Sequence, residues 1–416
     1  MRSHRSAGSS RLPSLTSRTT RRSLLGLGGV GLTLALAACG SDDADDEPTP
    51  TQEPEPTAEP TQADPTPTQE PISSPVSGYL DPTRWEGRSI TVATAAAGEY
   101  LDALHEAYFD AFAEATGAKV RHTQFGRDGV DGIGSQVESG DVTWDVVLIP
   151  TENALPIAQQ NALTAIDYNV VDTTDLYPEL VMQHAVGQAI YATTIVYPAG
   201  SEEIPTDWAQ FWDLSTFSGT RALRKSPIGT LEFALLADGV ARDALYPLDT
   251  ARAFAALDRI RDAVIWYEDS KQPVELVRTG QVGLAAAWSV RTALPDVASL
   301  VSIQWNGGML SADSWAIPRG SANTDVAMSF INFATRAVPS ATFSRLQPFG
   351  PVNTNAFALL RDDIVAALPN APGNIDKQFF QNWSYWADLE DELATQFDDW
   401  VLNPISTPVI AATPAE

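Results

Sequence analysis

From Ser89 to Trp400 the apolar positions recur with two periods, and the period changes from segment to segment. Ser89 to Ala93 alternates and predicts a strand; Lys119 to Gln124 and the apolar run Val146 to Pro150 are read as the second and third strands. Between the first two, Leu101, Leu104, Tyr108, Phe112 and Ala115 fall three and four residues apart. That spacing predicts an amphipathic helix over Glu99 to Thr116, ended by Gly117. A glycine-rich loop from Gly126 to Gly134 leads into a short helix ending near Ser139. Ala154 to Ala162 reads as a helix and Gln188 to Tyr197 as a long strand. A second series follows: helices over Trp208 to Leu214, Thr230 to Asp238, Thr250 to Ile260 and Pro273 to Thr279, with strands over Val264 to Tyr267 and Val282 to Trp288. After a short strand, Trp315 to Ile317, the pattern is helical over Asp325 to Thr335, Pro339 to Leu346, Leu359 to Leu368 and Gln381 to Trp400. Strands alternating with helices in two series indicate mostly parallel sheets in two α/β units.

The N-terminal region follows neither period. Arg21-Arg22 precede an apolar run from Leu24 to Ala38, which is shorter than the ~20 residues a bilayer span needs. The run closes on Leu36-Ala37-Ala38-Cys39. Charged region, apolar core and small residues before the sole cysteine predict a lipoprotein signal peptide over 1–38, of the twin-arginine type, with Cys39 as the lipidated residue. Residues 39–80 are acidic and rich in Pro and Thr, a composition that buries little apolar surface, and are expected to form an extended tether. Residues 406–416 are read as a tail.

Composition narrows the chemistry. The formal net charge is -27, and the acids dominate everywhere after the leader. Such a surface repels nucleic acid and anionic head groups, so contact with a membrane is expected through the lipid anchor alone. One cysteine and four scattered histidines supply no metal set, and no motif for a nucleophile or a phosphate cradle is present. No catalytic residue, metal or cofactor is therefore expected. The stretch Val282 to Pro318 holds the most suggestive residues. Trp288 closes an apolar strand, Arg291 follows it, and Asp313 precedes the next strand. In open α/β sheets ligands sit outside the carboxyl ends of strands, and an indole beside a carboxylate suits an amine.

Several motifs occur in an order that resembles the extracellular solute-binding proteins of ABC importers, in the branch of the spermidine/putrescine-binding proteins. They are Ile90-Thr-Val with Ala115-Thr-Gly-Ala-Lys-Val120, Trp144-Asp-Val-Val147, Pro205-Thr-Asp-Trp-Ala-Gln-Phe-Trp212, Val282 to Trp288, Asp313-Ser-Trp-Ala-Ile-Pro318, and Phe349-Gly-Pro-Val-Asn353. The resemblance implies a type II periplasmic-binding-protein-like α/β fold: two lobes joined by two crossing segments, near Ile195 and Gly308, with a ligand cleft between them. Lobe one is expected over 81–193 plus 309–405 and lobe two over 194–308. It further implies a monomeric, extracytoplasmic, lipid-anchored protein that captures a small amine-bearing, polyamine-like solute by hinge closure. The solute would pass to permease and ATPase subunits.

Carried over residue by residue, the polyamine-binding pattern matches Tyr100, Trp288, Asp313 and Phe349. It departs at Ala97 and Ser311, where tryptophans are expected, and at Ser226 and Gly229, where carboxylates are expected; Glu232, one helical turn on, is the candidate substitute. Arg291 and Arg224 would repel a polycation and suit a carboxylate-bearing solute. An opine or amino-acid-like solute is thus the alternative in the same fold, and an exported lipoprotein hydrolase the alternative from another class.

Overall fold

The structure, a computed structural model, describes residues 69–126 and 129–403. The signal peptide, Cys39, the tether as far as residue 68 and the 406–416 tail lie outside the described residues. Residues 69–80, read from composition as the end of an extended tether, belong to the body. From Gln69 the chain packs on the body: Gln69 Nε2 donates to the Leu359 carbonyl at 2.8 Å, Ile72 joins an apolar cluster, and buried Tyr79 donates to the Ser329 carbonyl at 2.6 Å.

One sheet organises the fold. Its eight main strands are β1 (Ser89–Thr94), β2 (Lys119–Gln124), β3 (Val146–Pro150), β4 (Ala185–Pro198), β5 (Arg221–Arg224), β6 (Val264–Tyr267), β7 (Leu284–Trp288) and β8 (Val301–Ala316), in the order β2-β1-β3-β8-β4-β7-β5-β6. At one end β2, β1 and β3 run parallel; at the other β7, β5 and β6 do so. The long strands β4 and β8 pair antiparallel through the middle, and their register breaks between Thr193 and Ile195. Each parallel set with its share of β4 and β8 makes one α/β lobe, so these two strands are the crossing segments. Gly307 lies in β8 at φ 75°, and a Cβ there would sit 2.7 Å from the Trp208 ring, so this bend requires glycine.

Four helices carry the argument below. α1 runs from Gly98–Leu104 through a π-helical turn, His105–Phe109, to Asp110–Thr116. α2 is Thr151–Gln159, α3 Pro227–Ala237 and α4 Trp383–Leu402. The lobe-one core joins Tyr108, Phe109 and Phe112 of α1 to Trp315 of β8 and to Phe330 and Phe333. The lobe-two core is built around Trp208, which stacks on Phe233 with centroids 3.8 Å apart. Here the sequence reading is corrected. The C-terminal helix, assigned to lobe one by sequence, packs on both lobes: Trp386, Leu393 and Phe397 join the lobe-two core beside α3, while Trp383 joins the lobe-one core and the helix also lies against α2. Among the described residues no helix is long and apolar enough to cross a membrane.

Candidate functional site

The parallel strands of lobe two end together, and their last residues are Arg224, Tyr267 and Trp288. All three line a small interlobe cavity. Above them α3 begins with a break: Ile228 has ψ 124° and Gly229 φ 79°, so the chain loops over the cavity before the helix proper starts. Thr230 in that loop donates its hydroxyl to the Arg224 carbonyl at 3.1 Å, which ties the loop to the strand end.

The facing wall comes from lobe one and from the crossing strands. Tyr191 and Thr193 of β4 are two residues apart and so share a face, as do Ser311 and Asp313 of β8. Tyr191 is paired with Ser311, and Asp313 lies opposite both Ala189 and Pro150. Pro150 is followed by the first turn of α2, which brings Glu152 to the same wall. Tyr100, in the first turn of α1, donates its hydroxyl to Asp313 Oδ2 at 3.2 Å. The rings form one continuous surface. Tyr100 and Phe349 have centroids 5.4 Å apart, Phe349 and Tyr191 6.1 Å, and Tyr191 and Trp288 5.3 Å.

The electrostatics are unusual for so small a space. Burial raises the Asp313 carboxyl to about 7, with the neighbouring Glu152 charge adding to the rise and the Tyr100 hydroxyl opposing it. Glu152 is also raised by burial, against the pull of Arg224 and of Gln381. Tyr100 and Tyr191 are pushed well above the ordinary tyrosine value, mainly by burial, so their hydroxyls stay neutral. The Arg224 guanidinium lies 5.6 Å from the Trp288 ring centroid and makes no ion pair among the described residues. The cavity therefore holds the Arg224 cation and the reluctant Glu152 carboxylate with aromatic faces beside them, and Asp313 stands just outside its lining, two residues from Ser311 on the same face of β8. Such a set can hold an ammonium and a carboxylate of one molecule at once.

The structure thus brings four of the sequence candidates together: Tyr100, Trp288, Asp313 and Phe349. Arg291 stands behind the wall. Its guanidinium is 5.8 Å from the Trp288 ring, and its Nε donates to Ser270 Oγ at 3.1 Å. Glu232 is the correction. It is fully buried, and its carboxylate accepts from the Gly229 N–H at 2.8 Å, the Tyr246 hydroxyl at 2.6 Å and Trp386 Nε1 at 2.7 Å. Three donors already occupy it, so it closes the start of α3 and ties that helix to α4 instead of meeting a solute. Sequence reasoning missed Glu152, Tyr191 and Gln381 as wall residues. Glu152 carried a usable signal, since it follows a strand end by two residues; Tyr191 sits in an almost wholly buried strand and carried none.

Residues 107–373 match a family described as bacterial extracellular solute-binding protein. The gamma-aminobutyric acid-binding protein of Pseudomonas aeruginosa is 30% identical over 323 residues, which is 76% of this chain and 91% of that protein. An ABC transporter substrate-binding protein from Bradyrhizobium japonicum superposes with a TM-score of 0.70 at 31% identity, over 76% of this chain and 99% of the other. A binding protein from Agrobacterium tumefaciens R10, solved in complex with agropinic acid, gives a TM-score of 0.62 at 31% identity, over 76% and 99%.

Proposed function

We propose, for a chain that belongs to the bacterial extracellular solute-binding proteins and acts as the substrate-binding component of an ABC importer, that its solute is a short zwitterion, an ω-amino acid of the 4-aminobutyrate type. The observation that carries this reading is that Arg224 and Glu152 line one aromatic-walled cavity, with Asp313 two residues beyond the cavity-lining Ser311 on the same face of β8. Arg224 would take the carboxylate in a forked pair, while Asp313 and Glu152 take the ammonium. Tyr191 and Trp288 would cover the methylenes between the charged ends. A linear polyamine fits this set poorly, because it has no anion to offer the guanidinium and would be repelled by it. The relative named for 4-aminobutyrate and the one solved with agropinic acid both bind molecules that carry a carboxylate and a nitrogen.

At ≈ 20 Å³ the cavity has room for about one water. A solute enters only if the lobes part, and its charges then draw them together. Closure is thereby tied to occupancy, and the closed form is what a permease recognises. The test is a thermal-shift and calorimetric panel of 4-aminobutyrate, 5-aminovalerate, α-amino acids, an opine, putrescine, spermidine and glucose. At a hundred times its Kd a solute stabilises by about 2.7 kcal/mol. An ω-amino acid is expected to give the largest shift; a shift from diamines or sugar alone overturns the reading.

We further propose that the protein is held outside the cytoplasm by lipid on Cys39. Cys39→Ser is expected to move it from the membrane fraction to the soluble fraction and to abolish labelling by a radioactive fatty acid. Labelling that survives the substitution excludes this anchor.

A further inference from the structure

Gln381 lines two cavities: the interlobe cavity and, beyond it, a groove of ≈ 730 Å³ bounded by Leu155, Ala158, Met182, Tyr246, Phe380 and Trp383. The backbone of Gln381 is fixed beside β8, where its N–H donates to the Leu310 carbonyl at 2.9 Å. Its side chain, 2% exposed, stands between the two spaces. The amide oxygen accepts from Ser311 Oγ at 2.9 Å, and Nε2 donates to Glu152 Oε2 at 3.4 Å. Both partners belong to the inner wall.

We propose that Gln381 is the partition that sets the size of the solute. It closes the amine end of the cavity, so that an amino acid with a free ammonium fits and one with a bulky substituent on nitrogen does not. The inference rests on the zwitterion reading above, which directs the solute's nitrogen toward Glu152 and Asp313. An N-alkyl amine keeps its positive charge and can still pair with those carboxylates. A roomy direction for its substituent leads through the position of the Gln381 side chain into the groove. That groove is mostly apolar, with Leu155, Met182 and Phe380 along it, so the class of solute it would admit is an N-alkyl ω-amino acid.

The experiment is calorimetry of wild type, Gln381→Ala and Gln381→Ser with 4-aminobutyrate and N-butyl-4-aminobutyrate. Wild type is expected to favour the parent compound by about 50-fold or more, and Gln381→Ala to narrow that preference to about fivefold or less. A preference unchanged in a variant of native melting temperature overturns the proposal, as does a wild type that binds both compounds equally. If wild type binds neither compound, the zwitterion reading has failed on its own. The partition is then decided by a crystal structure of Gln381→Ala: two cavities joined into one support it, and a cavity still sealed by rearranged neighbours refutes it.

Discussion

Replacing Arg224 with Gln is expected to weaken binding of 4-aminobutyrate by about 100-fold or more, while the melting temperature of the solute-free protein stays within a few degrees of wild type. Removing one member of a desolvated, hydrogen-bonded charge pair costs about 2–5 kcal/mol, and each 1.4 kcal/mol is a factor of ten. Arg224 makes no ion pair among the described residues, so few contacts within the protein are lost with it. Its cation also offsets Glu152 across the cavity, and its removal leaves that carboxylate unopposed beside Asp313. The same change should therefore improve putrescine relative to 4-aminobutyrate, because the repulsive element against a dication has gone. Arg224→Lys should recover part of the affinity, since a point charge replaces a fork. Titration calorimetry of the three proteins with both solutes decides the matter. Affinity for 4-aminobutyrate within threefold of wild type in Arg224→Gln would remove this guanidinium from the site.

Arg224 also shows where the sequence stops being informative. It ends a four-residue strand whose other end is Arg221. Arg221 is fully buried and spends its guanidinium on the carbonyls of Phe211, Gly219, Asp213 and Phe217, which makes it a structural residue. Two arginines three positions apart thus end in different surroundings, one held by backbone carbonyls and one lining the interlobe cavity. Glu232 repeats the lesson: its partners Tyr246 and Trp386 are 14 and 154 residues away, and no local pattern connects them. The regular elements were far more legible, because each is set by neighbours in sequence. β2, β3 and β6 have the bounds read from the sequence. Two strands escaped: β5, four residues long and bounded by arginines, was not expected, and in β8 only Trp315 to Ile317 was, although Val301, Ile303 and Trp305 also alternate with polar residues. The first half of β8 is mostly half-buried, and the weak contrast hid it. Around the cavity, Trp288 at a strand end and Phe349 at a turn could be read, and so could Asp313, although it lies inside β8 and not ahead of a strand. The wall contributed by the middle of β4 could not.

Asp313→Asn is expected to make the solute-free protein more stable and the binding protein nearly inactive. The carboxyl sits at about 7 in the folded chain, because burial and the Glu152 charge disfavour its ionised form. In the unfolded chain it ionises near the ordinary aspartate value, about 3.9. A folded value above the unfolded one means that this group's contribution to stability is greatest below pH 4 and falls as pH rises toward 7, then stays level. Asn keeps the shape and can accept from the Tyr100 hydroxyl without that cost. The variant should therefore gain on the order of 1–2 kcal/mol at pH 8, after allowance for the partial exposure of the site, and nothing at pH 4. Binding moves the other way. An ammonium needs the ionised carboxylate, so wild-type affinity for 4-aminobutyrate should fall as pH drops below 7, by up to about tenfold per unit, while both charges of the solute itself are unchanged over that range. Glu152, raised in the same direction by burial, would steepen the fall, and the fixed charge of Arg224 across the cavity limits it. In the variant the affinity at pH 8 should be about 100-fold lower and its slope with pH much reduced. Calorimetry of the wild type at pH 6.5, in buffers of different ionisation enthalpy, should register a proton released as the solute binds. Melting curves from pH 4 to 8 complete the test: a variant no more stable than wild type at pH 8, together with an undiminished pH slope, would show that Asp313 is neither strained in the empty cleft nor used in the filled one.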